Sequence, residues 1–297
     1  MSDSGSVEAT EARVPAPSRW RRRVVFGLIG VAVAYIGMCV VFYGLQESIL
    51  FPGRSTQGRA DAIVRESATT EIVRLTLSGG TPVVGRLDWA RGIARERAPT
   101  VLVFYGNGQC AATTGGVIYL LQQIGCNVLT PDYPGYGMSG GRASEVAMDE
   151  TADVFWAHLN QRTDIDRTQL HLVGWSLGGA MAIDLAARTE PVSLTTISAF
   201  TSATDMGRSM VPFFPVSWVL KHPFDSLGVI DRVKCPVLII HGEDDTLIPA
   251  EMSRTLAARV KSPVTTLFIA GGDHNNIFDV DTTKVMNAID RIVHAKR

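Results

Sequence analysis

Apolar residues follow two different patterns along the chain. Residues 24–45, VVFGLIGVAVAYIGMCVVFYGL, carry no charge over 22 positions, about the length a helix needs to cross a bilayer core. From residue 70 onward, apolar residues come instead in short runs separated by polar stretches and turn residues. The sequence therefore predicts one membrane-spanning anchor at 24–45, followed by one globular domain over residues 49–297.

The short runs predict the architecture of that domain. TTEIVRLTLSGG and TPVVGRLDWA alternate apolar and polar residues around a Gly-Gly turn, which is typical of an antiparallel hairpin. Six apolar runs follow, separated by helix-length stretches: PTVLVFYG, CNVLTPDYPG, QLHLVGWS, SLTTISAF, CPVLIIHG and PVTTLFIAGG. This alternation indicates an α/β fold with a mostly parallel sheet covered by helices on both faces.

The segment before the anchor predicts its orientation. Residues 1–23 are rich in Ser, Glu, Ala and Pro and end in four arginines, so we expect a disordered tail with a basic end. The 15 residues after the anchor contain only two basic residues, Arg54 and Arg59, against the four arginines that precede it. The positive-inside rule then places the N-terminus in the cytoplasm and the globular domain outside it, in a periplasm or lumen. No A-x-A-like site follows the apolar run, which favours an anchor over a cleaved signal peptide.

Composition excludes several classes of function. The formal net charge is -1, so the chain offers no basic field for nucleic acid. Cys39, Cys110, Cys126 and Cys235 form no CxxC pair and no zinc-ligand spacing with histidine, so no metal site is predicted. We expect buried thiols, with a Cys110–Cys126 disulfide as the alternative.

A nucleophile is predicted within Gly174-Trp175-Ser176-Leu177-Gly178-Gly179. This GxSxG motif follows the apolar run LHLV and precedes the helical stretch AMAIDLAAR, which is the strand, sharp turn and helix that a nucleophile elbow requires. Glycines flank the serine because the tight turn leaves no room for side chains. A glycine-rich turn without chemistry is the alternative, and the strand and helix around the motif argue against it.

A serine hydroxyl needs a base that a carboxylate holds in the right tautomer. His274 follows the last apolar run, and the acidic trio Glu243-Asp244-Asp245 follows the run before it, which gives the chain order Ser, Asp, His of this kind of site. We assign Ser176 as nucleophile, His274 as general base and Asp245 as the orienting acid, with Asp244 in reserve. His241, at the end of a predicted strand, is interpreted as a core residue.

The developing oxyanion needs two backbone N–H donors. The residue after the nucleophile, Leu177, supplies the first, and the loop Gly106-Asn107-Gly108 after an earlier strand supplies the second, which we assign to Asn107.

The motifs YGNG, PDYPGYGMSGG, GWSLGG, HGEDDTLIP and GGDHNN together resemble the membrane-anchored α/β-hydrolase domain proteins related to protein depalmitoylases and monoacylglycerol lipases. The resemblance runs from about Ile49 to the C-terminus and implies an α/β-hydrolase fold with a minimal cap. Those proteins usually carry His where this chain has Tyr105, and Gly where it has Asp273. The turn at 132–137, which lies near the site in that family, is interpreted as structural.

The sequence predicts a serine esterase or thioesterase that acts on acylated lipid, protein or small-molecule substrates and needs no cofactor. Aromatic residues of the insertion at 201–234, with the residue before the nucleophile, are candidates for substrate contacts: Trp175, Phe213, Phe214 and Trp218. Contact with the bilayer and ordinary packing are alternatives for the insertion. An amidase on the same fold and a non-catalytic binding protein are the other functional hypotheses.

Overall fold

The computed structural model describes residues 19–295, which fall into two compact units, one ending at Gly44 and one beginning at Leu45. Helix α1 spans Arg19–Leu50. The predicted disordered segment 1–18 lies outside the described residues, whereas its arginine-rich end, residues 19–23, forms the first turn of α1 instead of a tail. Arginine is a good helix former, so the helix extends without cost into this polar segment.

Within residues 19–295, α1 is the one helix long and apolar enough to cross a membrane by length and composition. Its last residues, from Leu45 onward, belong to the second compact unit.

The second unit is built on an eight-stranded sheet. Its strands are β1 (Thr70–Thr76), β2 (Pro82–Asp88), β3 (Thr100–Phe104), β4 (Asn127–Pro131), β5 (Leu170–Trp175), β6 (Ser193–Ile197), β7 (Val237–Gly242) and β8 (Val264–Ile269). The strand order is β1-β2-β4-β3-β5-β6-β7-β8. β1 and β2 form the predicted antiparallel hairpin, and β3 to β8 are parallel, so the predicted fold class is confirmed.

Helices cover both faces of the sheet. The helices after α1 are α2 (Gly115–Gln123), α3 (Glu145–Gln161), α4 (Leu177–Arg188), α5 (Ala203–Met210), α6 (Val216–Val219), α7 (Ser226–Val229), α8 (Ala250–Arg259) and α9 (Ile277–Val293). One apolar core joins the sheet to α3, α4 and α8, and a second joins it to α2 and α9. Because side chains alternate along a strand, Leu172 packs into the first core and Val173 into the second. Strands buried on both faces read as continuous apolar runs in the sequence.

The segment between β6 and β7 holds only short helices. No residue of α5 is buried, and α6 buries only Val216. The segment therefore forms the minimal cap that was predicted. All four cysteines are free thiols, three of them buried, so the Cys110–Cys126 disulfide does not form.

Candidate active site

Ser176 lies on a sharp turn between β5 and α4. Its φ of 54° is in the left-handed region, where residues other than glycine are uncommon. The turn is held by two backbone hydrogen bonds: Ser176 N–H donates to the Ile197 carbonyl at 2.8 Å, and Gly179 N–H donates to the Ser176 carbonyl at 2.8 Å. Ser176 therefore stands at the C-terminal edge of the sheet, in front of the first turn of α4.

The glycines around Ser176 are required by close approach of the backbone. A Cβ at Gly178 would lie 2.1 Å from the Phe104 carbonyl oxygen, and one at Gly174 would lie 2.3 Å from the Gly178 carbonyl oxygen. Real Cβ atoms do not come so close, so no larger residue fits without moving the strand or the helix. The spacing of the motif thus follows from the packing of α4 against β3 and β5.

Two neighbouring loops bring an acid and a histidine to the same edge. Asp245 follows β7 and His274 follows β8, and the loops are joined by a hydrogen bond from Asp244 N–H to the Gly272 carbonyl at 2.9 Å. A Cβ at Gly242 would lie 2.3 Å from the Gly272 carbonyl oxygen, so the loops are in direct backbone contact. The approach of these loops fixes the distance between the two side chains.

Ser176, His274 and Asp245 form a hydrogen-bonded series. The Ser176 Oγ lies 3.1 Å from His274 Nε2, and His274 Nδ1 lies 2.8 Å from Asp245 Oδ2. An ionised carboxylate only accepts, so Nδ1 carries the proton and Nε2 is left to accept from the serine hydroxyl. All three side chains are buried. Asp244, the reserve candidate, is exposed and makes no contact with the histidine among the described hydrogen bonds.

The environment of Asp245 keeps its carboxyl group ionised. Burial raises its pKa, but hydrogen bonds from His241, His274 and the backbone N–H of Ile248 outweigh burial and hold the pKa well below its usual range. The Oδ1 atom accepts from the N–H groups of Leu247 at 3.0 Å and Ile248 at 2.8 Å. Asp245 can therefore stabilise positive charge on the ring of His274.

His241 is a site residue that the sequence interpretation missed. Its Nε2 lies 3.2 Å from Asp245 Oδ2 and 2.8 Å from the Ile248 carbonyl, and its Nδ1 lies 2.6 Å from the Ser253 hydroxyl. Since both neighbours of Nε2 are acceptors, Nε2 carries the proton and Nδ1 accepts from Ser253. The interpretation as a core residue is correct, since His241 is fully buried. Its side chain also contacts the carboxylate of Asp245 and helps to position it. The sequence signal that could have identified this role is the position of His241, at the end of a strand and four residues before Asp245.

The loop after β3 faces the nucleophile. A Cβ at Gly106 would lie 3.5 Å from Ser176 Cβ, which places this loop directly beside the serine. Within residues 19–295, the backbone N–H groups of Asn107 and Leu177 donate to no protein acceptor, whereas Gly106 N–H donates to Gln109 Oε1 at 3.0 Å. Neither N–H group is therefore engaged by a protein acceptor in the described part of the chain.

A layer of three buried tyrosines supports the loop that follows β3. Tyr105, Tyr133 and Tyr136 are all fully buried, and the rings of Tyr105 and Tyr133 lie 4.3 Å apart. Tyr133 OH donates to the Tyr105 carbonyl at 2.7 Å, and Tyr105 OH donates to Asp132 Oδ1 at 3.1 Å. Burial raises the pKa of Asp132 to about 6, although it also accepts from the backbone N–H groups of Ala111 and Met138. The turn at 132–137 is therefore structural and holds the loop.

A family model for the alpha/beta hydrolase fold matches residues 99–215. An uncharacterized protein of Mycobacterium tuberculosis is 32% identical over 195 residues, which cover 66% of this chain and 69% of that protein. The alpha/beta hydrolase domain-containing protein WAV2 of Arabidopsis thaliana is 28% identical over 256 residues, covering 79% of this chain and 80% of that protein.

The chain belongs to the α/β-hydrolase family. Solved structures with the same fold include esterases. The Pyrococcus furiosus esterase Pf2001 superposes with a TM-score of 0.60 at 20% identity, over 78% of this chain and 96% of that one. Est1E from Butyrivibrio proteoclasticus, solved with ferulic acid, superposes with a TM-score of 0.63 at 18% identity, over 74% of this chain and 96% of that one.

The aromatic residues predicted to contact substrate do not form an enclosed pocket in this α/β-hydrolase. Phe213 is 93% exposed and Trp218 is 91% exposed, whereas Phe214 is half-buried. Trp175 packs against the ring of Phe278, at 5.6 Å, in the core on the α2 and α9 face. Strand alternation therefore directs Trp175 to the α2 and α9 face of the sheet, and its contact with substrate stays a prediction.

Proposed function

We propose that this α/β-hydrolase is a serine hydrolase that cleaves carboxylic ester or thioester bonds of acylated substrates. The observation that carries the proposal is the hydrogen-bonded series Ser176, His274 and Asp245, at the C-terminal edge of a sheet shared with solved esterases. A serine hydroxyl acquires nucleophilic character when such a base accepts its proton.

In the proposed reaction, His274 Nε2 takes the proton from Ser176 Oγ as that oxygen attacks the carbonyl carbon of the substrate. The C=O bond opens to an oxyanion, which accepts hydrogen bonds from the N–H groups of Leu177 and Asn107. The intermediate collapses, the acyl carbon separates from the leaving oxygen or sulfur, and His274 returns the proton to that atom. Water then attacks the acyl-enzyme by the same steps, releasing the acid and regenerating Ser176. The ionised Asp245 stabilises the imidazolium throughout.

We further propose that α1 anchors the hydrolase in a membrane, with its N-terminus in the cytoplasm and the catalytic unit outside. The length of the apolar run and the arginines at 19–23 support this orientation. Acylated substrates at that membrane surface are then favoured. A reporter that works only outside the cytoplasm should be active at the C-terminus and inactive at the N-terminus, and the reverse pattern would contradict the proposed orientation.

Labelling with a fluorophosphonate tests the reaction class. The wild-type protein should be labelled on Ser176, and Ser176→Ala should abolish both labelling and hydrolysis while the thermal unfolding transition is retained; the loss in kcat should be on the order of a million-fold. Labelling at a different serine would contradict the assigned nucleophile. Matched p-nitrophenyl ester, thioester and anilide substrates then separate the esterase proposal from an amidase, and an unlabelled, inactive wild type would favour a binding protein.

A further inference from the structure

The oxyanion loop must hold one N–H group in a fixed direction. Displacements of about half an ångström are enough to weaken a catalytic hydrogen bond. The backbone of Asn107 lies on an exposed part of this loop, next to Gly108, whose φ is +84°. Such a loop needs restraint from other parts of the fold, and the side chain of Asn107 provides it.

The Asn107 side chain bridges two separate segments. Its Nδ2 donates to the carbonyl oxygen of Leu50, at the end of α1, and its Oδ1 accepts from Tyr136 OH at 2.9 Å. Tyr136 is fully buried within the tyrosine layer described above. The loop is therefore fixed between the turn at 132–137 and the last residue of α1.

The chain around Leu50, residues 46–53, is itself firmly attached; we call it the junction segment. The Gln46 side chain is fully buried, donating to the Val219 carbonyl at 3.0 Å and accepting from the backbone N–H of Lys221 at 2.7 Å. Phe51 is 1% exposed and its ring lies 5.3 Å from that of His222. The junction segment is thus fixed to the last residue of α6 and to the chain that follows it.

The junction segment also packs against the tyrosine layer. A Cβ at Gly53 would lie 1.9 Å from Cε1 of Tyr136, so the backbone of the segment lies directly on that ring. The same ring carries the hydroxyl that bonds Asn107. A shift of the junction segment would therefore be transmitted to Asn107 by two routes, the Leu50 carbonyl and the Tyr136 ring.

We propose that the junction segment positions the oxyanion loop through the Asn107 side chain, so that hydrolysis depends on the end of α1 staying docked on the catalytic unit. This inference rests on the proposed serine hydrolase activity. Gln46, Asn107 and Tyr136 act as positioning residues, and the backbone N–H of Asn107 remains the donor. Because the oxyanion exists only along the reaction and not in bound substrate, displacement of the loop lowers kcat and leaves KM nearly unchanged.

A double-mutant cycle in the full-length protein, in detergent micelles with p-nitrophenyl butyrate, tests the proposal. Asn107→Ala keeps the N–H group and removes all three side-chain hydrogen bonds, those with Leu50, Tyr136 and the N–H of Gly108, so kcat should fall about 10- to 30-fold, a part of the loss expected for a missing oxyanion donor. Gln46→Ala should lower kcat roughly 3- to 10-fold with KM within about twofold. The double variant should match Asn107→Ala, because Gln46 acts through Asn107.

Gln122→Ala is the matched control, since Gln122 is also buried and donates to a backbone carbonyl, that of Trp89, on helix α2. It should lower the melting temperature but not kcat. If Gln46→Ala does not fold, Gln46→Glu, which keeps the acceptor for Lys221, takes its place. Full kcat in the Gln46 variant, or independent losses that multiply in the double variant, would overturn the proposal. A wild type that neither hydrolyses esters nor labels on Ser176 would instead refute the proposed function.

Discussion

Two sites in the second compact unit hold buried or half-buried carboxylates, and the pKa values at the two sites are shifted in opposite directions. Asp245, next to His274, has a pKa held well below its usual range. On the α3 and α4 face of the sheet, Glu145 and Asp149 border a cavity of about 140 Å³ together with Asp184 and Asp225. Burial there raises the pKa of both Glu145 and Asp149 to about 7.

The difference lies in the hydrogen-bond donors around each group. Asp245 faces two histidine N–H groups and two backbone N–H groups. Within residues 19–295, Asp149 accepts no hydrogen bond, and after burial its pKa is raised further by repulsion from Asp184 and Glu145. Burial raises the pKa at both sites, and only at Asp245 do the hydrogen-bond donors outweigh it; the one backbone N–H that Glu145 accepts, from Phe224, does not. A carboxylate surrounded by donors suits catalysis, whereas the acidic cavity costs stability.

The largest effect expected from this comparison is the loss of the Asp245 carboxylate. Asp245→Asn should lower kcat by a factor on the order of a thousand or more, since a neutral amide neither fixes the tautomer of His274 nor stabilises its charged form. The exposed neighbour offers a matched control, and Asp244→Asn should stay within about twofold of the wild type. Steady-state kinetics of both variants check this, and a greater loss for Asp244→Asn would show that the acid is misassigned.

An intermediate effect is expected from removing one donor to Asp245. His241→Leu should lower kcat about tenfold, which corresponds to losing one hydrogen bond to a charged group, worth roughly 1.5 kcal/mol. His171→Leu is the control, because His171 is equally buried and its Nδ1 lies 2.8 Å from the hydroxyl of Ser193. Both variants should unfold at lower temperature, but only the first should lose activity. Equal kcat in the two would mean that His241 serves packing alone.

The smallest effect concerns the acidic cavity and depends on pH. The pKa of Asp149 is about 7 in the folded protein against 3.8 as its ordinary value, so the folded state binds this proton more tightly. The free energy of unfolding therefore declines as pH rises from about 3.8 to 7, and the penalty is constant above that.

Asp149→Asn removes this penalty and should raise the melting temperature by a few degrees at pH 8, with about 3 °C per kcal/mol as the scale, and by little at pH 4. Differential scanning fluorimetry of the variant, the wild type and Asp244→Asn measures this. A gain of the same size at both pH values would show that repulsion between charges is not the cause.

Most of the fold was predictable from the sequence, because buried strands appear in it as runs of apolar residues. Strands β3 to β8 coincide with the six apolar runs, and the hairpin with the two alternating segments. The residue at which the apolar helix ends was not predicted, because α1 continues to Leu50, beyond the uncharged run. Gln46 and Glu47 interrupt the apolar pattern there, and nothing local reveals that Gln46 is buried against Val219 and Lys221.

Local motifs marked the positions of the candidate site, whereas long-range contacts determine its details. Ser176 and His274 stand in short glycine-rich motifs, and the structure places them 3.1 Å apart, Oγ to Nε2. The choice among Glu243, Asp244 and Asp245 depends on how the loops after β7 and β8 touch, which spacing alone does not encode. For the same reason the acidic cavity was not foreseen, because its members come from three separate helical segments. The exposure of Phe213 and Trp218 could not be predicted, because an apolar residue does not reveal whether a surface exists to cover it, and their contact with substrate stays a prediction.

The backbone at Ser176 sets a limit on how this protein can evolve. Holding a residue other than glycine at a φ of 54° costs on the order of 1 to 3 kcal/mol, and glycine would adopt this conformation freely. Greater stability and the proposed chemistry therefore demand different residues at this position. Selection for stability alone would favour glycine at position 176, and the proposed nucleophile would be lost. Stabilising substitutions compatible with the proposed activity have to arise elsewhere, and the acidic cavity offers them.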